Sequence, residues 1–305
     1  MKNILILFSL WMGLSVSVIA CDICGCGVGG YYSGMLPQYH KNFIGLRWRL
    51  SSFSSDLGHE GEGINAFSRE HFHSLELMGR FYPHRRVQIL AFVPLSYNVR
   101  IAPEEANHLI GLGDISVIAL YNIYNTSFVA EKDLKHNLLV GGGVKVPTGS
   151  FQRTDMQGEL LTPSLQLGTG SVDFLTMAVY TMRYKRWGVN VNATYKINLP
   201  NAHTYKFGNQ LMTAATAFFL HKVKNTEWGI MPQLGLAFEH ANYNLKNGYK
   251  RINTGGNQLI ATVGIEVYYK KIQVGINYQQ PTWQNLSDGL VQAKPRFSAN
   301  INYLF

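Results

Sequence analysis

The stretch "RWGVNVNATYKIN" (residues 186–198) alternates without a break. Trp187, Val189, Val191, Ala193, Tyr195 and Ile197 fall on one side, and Gly188, Asn190, Asn192, Thr194, Lys196 and Asn198 on the other. Successive side chains of a strand point to opposite faces, so a period of two predicts a strand with one apolar and one polar face. "KIQVGINYQ" (271–279) repeats the pattern, with Ile272, Val274, Ile276 and Tyr278 set against Gln273, Gly275, Asn277 and Gln279. A strand of a soluble sandwich alternates as well, so the series along the whole chain decides between the two. About twelve segments are predicted, near 42–54, 70–82, 86–99, 112–124, 135–147, 172–184, 187–199, 207–221, 227–242, 257–269, 271–281 and 295–305. Each is long enough to cross a membrane as a tilted strand, for which about 9–11 residues suffice.

The connections support a membrane barrel. After the second, sixth and tenth segments they are tight ("PHR", "KR", "KK"). After the odd-numbered segments they are longer and polar, as in "SSDLGHEGEGINAFS" and "NYNLKNGYKRINTGG". Short turns on one side and long loops on the other are the signature of an up-and-down outer-membrane barrel. The 123–134 connection is longer than a periplasmic turn should be. Aromatic residues cluster where strands meet the short turns: Phe81, Tyr82, Tyr121, Tyr124, Tyr184, Trp187, Trp228, Tyr268, Tyr269 and Tyr303. Amphipathic rings at headgroup level explain such a belt. The predicted fold is all-β, a transmembrane antiparallel up-and-down β-barrel of about 12 strands. The terminal "RFSANINYLF" ends its apolar face on Phe305, as bacterial outer-membrane barrels do.

Composition agrees. Charged residues make up 15% of the chain, against about 25% in soluble domains. Gly (30), Tyr (17) and Phe (16) are abundant. Past residue 20 no stretch approaches the roughly 18 apolar residues of a spanning helix. The net charge of +9 is scattered, with no basic helix or RNA-binding aromatic motif, so nucleic acid is not an expected partner. The excess reads as barrel interior, periplasmic turns and attraction to anionic headgroups or solutes. The expected partners are outer-membrane lipid and small solutes, in a bacterial outer membrane.

The N-terminus reads as a secretory signal over 1–20. Lys2 is followed by an apolar run from Ile4 to Leu14, and Val18 and Ala20 precede a cut before Cys21. A Cys/Gly-rich periplasmic segment (21–41) and the barrel (42–305) follow. All three cysteines lie in "VIACDICGCGVGGYY". Cleavage before Cys21 and lipobox-type lipidation of Cys21 both fit the residues. The spacing Cys21-x-x-Cys24-x-Cys26 also suits a disulfide, with one thiol left over, or a soft ion such as Cu or Zn held by Cys24 and Cys26, with Cys21 or His40 as a third ligand. No other cofactor is expected. The five glycines between 25 and 34 favour a compact cap at the periplasmic mouth.

Three further stretches carry a family resemblance: "GLGDISVIALYNIYN" (111–125), "GGGVKVPTGSF" (141–151) and "LGTGSVDF" (167–174), the last followed by "KRWGVNVNATYKIN". Gly-Asp opens a strand, Lys-x-Pro-Thr-Gly closes one, and Gly-x-Gly-Ser-x-Asp opens the next. Over roughly 100–305 the chain resembles the outer-membrane channel family of the MetA pathway of phenol degradation. The resemblance implies a barrel, monomeric or oligomeric, that passes small solutes, hydrophobic or aromatic ones included. The cysteine-rich prefix departs from the family pattern. From the residues alone, Asp114 and Asp173 are expected to pair with an inward Arg or Lys.

If the apolar face meets lipid, the other face predicts the pore lining: Arg47, Arg49, Glu76, Arg80, Lys145, Arg183, Asn190, Asn192, Lys196, Gln233, Glu239 and Glu266, with Gln273, Asn277, Asn300 and Asn302. A charge on the lipid face near mid-membrane costs about 2–4 kcal/mol for Arg or Lys, which pushes these groups inward. The expected function is a porin-like channel or transporter. A plugged structural or metal-handling (Cu/Zn) barrel is the alternative. An outer-membrane lipase would need Ser and His together, and no Ser motif accompanies His221 or His240, so no enzyme is expected.

Mass spectrometry of the membrane-extracted protein should find Cys21 as the first residue and read whether it carries acyl chains. A Cys24→Ser, Cys26→Ser double variant should retain less Cu(I) or Zn than the wild type. Equal metal content rejects the ligand role.

Overall fold

The computed structural model describes residues 41–56, 67–103, 106–126, 133–154 and 161–305. The expected leader, Cys21, Cys24, Cys26 and His40 lie outside the described residues. Twelve antiparallel strands close into a barrel. They are β1 (Phe43–Asp56), β2 (Phe67–His84), β3 (Val87–Ile101), β4 (Ala106–Leu112 and Ile115–Asn125), β5 (Leu134–Val146) and β6 (Asp173–Tyr184). Then follow β7 (Trp187–Asn198), β8 (Gln210–Phe219, prolonged by His221–Lys222), β9 (Trp228–Ala241), β10 (Gly256–Tyr269), β11 (Ile272–Leu286) and β12 (Arg296–Leu304, preceded by Val291–Ala293). Each pairs with its sequence neighbour, and β1 pairs with β12 from Phe43↔Leu304 to Leu50↔Phe297. Every one of the twelve predicted segments corresponds to one of these strands.

The alternation in the sequence becomes the two faces of the wall. Trp187 (64% exposed), Leu234 (65%) and Ile276 (57%) point outward, while Asn190, Lys196 and Asn277 are buried inside. In water such an outer surface would be an unusually large apolar patch. In lipid it is the required one. The short turns Arg85–Arg86, Lys185–Arg186 and Lys270–Lys271 lie at the end that also holds both chain ends of the barrel, the periplasmic side of an even-stranded barrel. Lys185 and Lys270 adopt φ of 52° and 51° to make these turns. Beside the first, Asp133 lies 3.6 Å from Lys185, and its charge raises the ammonium pKa.

Several expectations need correction. Residues 100–101 and 106–111 continue the strands and are not loop: Leu95–Ile101 of β3 pairs with Ala106–Leu112. Tyr82 and Tyr268 do not belong to the outer aromatic belt. Both face inward, where the Tyr82 hydroxyl donates to Gln88 Oε1 at 2.6 Å and Tyr268 donates to Glu266. The belt itself holds Phe81, Tyr121, Tyr124, Tyr184, Trp187, Trp228, Tyr269, Tyr303 and Phe305, all exposed.

Nor is the inner face polar throughout. In the periplasmic half, β1 to β6 turn Phe43, Met78, Leu90, Phe92, Ile118, Leu120, Leu139, Met177 and Val179 inward, and with Leu304 they form one buried apolar cluster. Strict alternation fails here because both faces of these strands are apolar. Lipid covers one and neighbouring side chains cover the other.

Prolines set the irregular points. Pro94 has no N–H to give β4, and there the partner strand breaks between Leu112 and Ile115, keeping only Gly113 N donating to Pro94 O at 2.8 Å. On β11, Pro281 stands opposite Ile260 across a bulge, and the extra Thr282 donates its hydroxyl to Leu259 O at 3.1 Å. The glycine run of β5 has a steric reason. A Cβ at Gly141 or Gly143 would meet the carbonyl of Ala119 or Val117, and one at Gly142 would stand 2.7 Å from Leu175 O.

Gly143→Val should therefore destabilise the barrel by about 1–3 kcal/mol, the usual cost of overpacking. The measurement is the temperature at which the protein loses its heat-modifiable migration on gels, with the outward-facing Val144→Ala as an unaffected control.

Candidate functional site

The described part of the loop after β5 enters the outer half of the barrel. Val146 ends the strand, Pro147 cannot continue the ladder, and the chain turns back into the lumen, where Ser164 to Thr169 are buried. Asn98 on β3 holds this segment by donating from Nδ2 to Leu165 O at 3.0 Å. Gln166 braces it from within, donating from Nε2 to Arg153 O at 2.9 Å and accepting from Arg153 N at 3.1 Å.

At its inner tip the three family motifs meet. Lys145, from Lys-x-Pro-Thr-Gly, forms ion pairs with Asp114 and, at 2.8 Å, with Asp173. Asp114, freed from the ladder by the break opposite Pro94, accepts from Gly149 N at 3.0 Å and Thr169 N at 2.8 Å. Asp173 accepts from Ser171 Oγ at 2.9 Å and Leu199 N at 3.2 Å. Thr148 Oγ1 donates to Gly113 O at 2.7 Å and accepts from Ile115 N at 3.0 Å, which stitches the broken strand to the loop. Two carboxylates around one ammonium, each also bonded to backbone N–H, meet the condition for burying charge: pairing plus hydrogen bonds for the remaining lone pairs. The expectation that Asp114 and Asp173 pair with an inward cation holds, and the cation is Lys145 for both.

Beside this knot lies a recess of about 130 Å³, bounded by Arg47, Arg49, Glu76, Lys145, Lys196 and the loop at Gln166–Thr169. Glu76 accepts from Arg47 Nε at 2.9 Å and Nη2 at 2.6 Å, and also pairs with Arg49. The Arg47 guanidinium lies 5.7 Å from the Phe92 ring centroid, where the apolar cluster begins.

The opposite wall is amide-rich. Gln233 donates to Asn277 at 2.6 Å, Asn300 and Asn302 donate to Gln273, and Asn190 donates to Thr181 at 2.8 Å. Of the residues singled out from the sequence, Arg47, Glu76, Arg80, Lys145, Asn190, Lys196, Gln233, Glu266, Gln273, Asn277, Asn300 and Asn302 are inward and buried. Arg49, Asn192, Arg183 and Glu239 are inward and half-buried. Glu239 pairs with Arg296 at 2.9 Å near the outer mouth, a partner the alternation did not single out because Arg296 sits at the strand's first residue. Arg183 lies at the periplasmic end opposite Lys135 and joins none of these groups.

Histidines stand apart from the interior network. His240 bonds to Asn257 at 2.7 Å and Asn242 at 2.9 Å, and His221 is exposed at the periplasmic end. Ser52 Oγ lies 2.9 Å from His71 Nδ1 on the outer face, a cross-strand pair that the sequence reading missed. Outside the membrane Tyr243 donates to Asp288 at 3.1 Å, and this bond, with the carboxylate's charge, raises the phenol pKa.

Replacing Lys145 by Met should strand two buried carboxylates, at a cost of about 3–5 kcal/mol. The thermal unfolding midpoint should fall sharply, and trypsin should cut after Arg153, beside the loop, faster than in the wild type.

The family model described as "Putative MetA-pathway of phenol degradation" matches residues 86–233, beginning before the resembling stretch read from the sequence and ending well short of the C-terminus. No curated protein matches the sequence. Among solved structures, the COG4313 outer membrane channel from Pseudomonas putida F1 aligns with a TM-score of 0.61 at 14% identity, covering 87% of this chain and 96% of that one. The beta domain of the Bordetella autotransporter Brka aligns at 0.49 and 10% identity, covering 86% and 99%. The translocator domain of the autotransporter NalP from Neisseria meningitidis aligns at 0.45 and 9% identity, covering 90% and 92%. The chain has the fold of an outer-membrane β-barrel, and its residues 86–233, from β3 to the start of β9, are similar to the MetA-pathway family of phenol degradation.

Proposed function

We propose that the barrel is a channel for small solutes across the outer membrane, suited to molecules with an apolar body and a polar group. The observation that carries this reading is the mixed interior. Its apolar surface comes from the main cluster on β1 to β6 and two smaller ones on β8 to β10, and its polar surface from the charge groups of β1, β2 and β4 to β6 and the amides of β7 to β12. A wide water-filled pore needs no such apolar wall, and a purely structural barrel has no use for the polar recess under the inward loop. The family description, which names phenol degradation, and the Pseudomonas structure, described as an outer membrane channel, support the same reading.

The reading is transport rather than catalysis. The Ser52–His71 pair lies on the outer face, away from the polar interior to which the channel reading assigns the solute.

Planar bilayers holding the purified protein should show small, discrete conductance steps, and liposomes should swell in small solutes but not in large sugars. Lys145→Met, which releases the inward loop, should raise the open conductance. A protein with neither conductance nor swelling overturns the channel reading in favour of a plugged barrel.

A further inference from the structure

The periplasmic mouth carries a second cavity, of about 180 Å³, far from the recess under the inward loop. Lys41, just before β1, Lys222, at the end of β8, and Lys270, in the turn after β10, all line it, and Glu227 contributes the one carboxylate. All four residues are exposed. None of the three lysines forms an ion pair with a carboxylate among the described residues. The register places the cavity at the rim, open to the lumen. Gly229, Tyr268 and Leu304 in its wall belong to the inward face, while Trp228, also in the wall, stacks at 4.5 Å on Tyr269 on the lipid side, and the Lys270 ammonium stands 5.4 Å from the Tyr269 ring centroid. Thr226 shapes the β8–β9 turn rather than offering a free hydroxyl, since it donates to Val223 O at 3.1 Å and accepts from Trp228 N at 3.2 Å.

The surroundings share the sign. Lys224 and Lys271 extend the same arc of the rim, and Arg85, Arg86, Lys185 and Arg186 occupy the other, all exposed. Among the described residues the side-chain carboxylates at this end are Asp133, already paired with Lys185, Glu227 at the rim, and Glu266 buried behind Tyr268. Like charges converging on a low-dielectric mouth focus a positive potential there, and the arrangement becomes favourable when an anion joins it. Ammonium groups bind oxyanions through charge-assisted hydrogen bonds and make no demand for planar, bidentate geometry.

We propose that Lys41, Lys222 and Lys270 form an oxyanion-binding site at the periplasmic mouth, which takes the carboxylate or phosphate group of a small soluble solute and gives the pore a preference for anions. The inward Gly229, Tyr268 and Leu304 give a soluble anion access from the lumen, whereas a phospholipid headgroup would offer the same chemistry from outside the barrel. The preference for anions rests on the channel reading, whereas the binding site does not.

The test uses the full-length protein and a Lys41→Gln, Lys222→Gln, Lys270→Gln triple variant, with Lys185→Gln, Arg186→Gln as a rim control. Heat-modifiable migration checks that each one folds. At low salt, inorganic phosphate should change the tryptophan fluorescence saturably in the wild type and the rim control, through Trp228 beside the site. In the triple variant the apparent affinity should weaken by about tenfold or more. Under a KCl gradient in planar bilayers, the reversal potential should favour chloride in the wild type and shift toward zero in the triple variant. Equal phosphate responses in wild type and triple variant overturn the site. If the response differs but no conductance is seen, the site stands and the channel reading fails. Repeating the titration in zwitterionic vesicles and in vesicles containing phosphatidylglycerol separates the two sources. A response kept in both supports a soluble anion, and one abolished only by phosphatidylglycerol overturns that assignment in favour of the headgroup.

Discussion

Within a bilayer no water is at hand to satisfy an open backbone N–H or C=O, and this constraint shapes the whole molecule. A sheet with free edges would leave two rows of such groups in hydrocarbon, each costing several kcal/mol. The chain meets the condition by joining β1 to β12, so every spanning strand has a partner on both sides. The other features are ways of living with that closed ladder. Where Pro94 removes a donor, the break in β4 is small and turned to use, because it releases Asp114 toward the lumen. Where Pro281 interrupts β11, Thr282 occupies the carbonyl that would be left open.

The interior follows from the same closure. Twelve strands enclose too little space for a wide channel once large side chains point inward, and this chain points many inward. The apolar cluster fills part of the periplasmic half, and the loop held by Lys145 fills part of the outer half. What is left is lined by apolar, amide and charged side chains together. A single ammonium thus holds the loop: while it keeps Asp114 and Asp173 together, the loop tip cannot leave the lumen without breaking a buried ion-pair group.

Charge is placed by depth. Inside the membrane span, acids and bases occur largely in compensated groups, such as Arg47, Arg49 and Glu76, or Lys145 with its two aspartates. At the periplasmic rim compensation lapses and lysines dominate. Water and headgroups can bear unpaired charge there, so the excess of +9 read from composition gathers where it is least costly and most able to attract a partner.

The sequence by itself determined the number of strands, their outward faces and the side on which the tight turns lie. These depend on local periodicity, and a strand between lipid and interior must repeat every two residues. It also marked the motif residues Asp114, Lys145 and Asp173 and the expectation that the acids pair with a cation. Only the tertiary structure decided that both acids meet the same lysine, because that contact joins positions 31 and 28 residues away across a folded loop, a distance over which no local pattern carries information. The same reason hid the inward tyrosines at 82 and 268, the apolar wall and the three-lysine mouth. Each depends on which strands lie side by side once the barrel has closed.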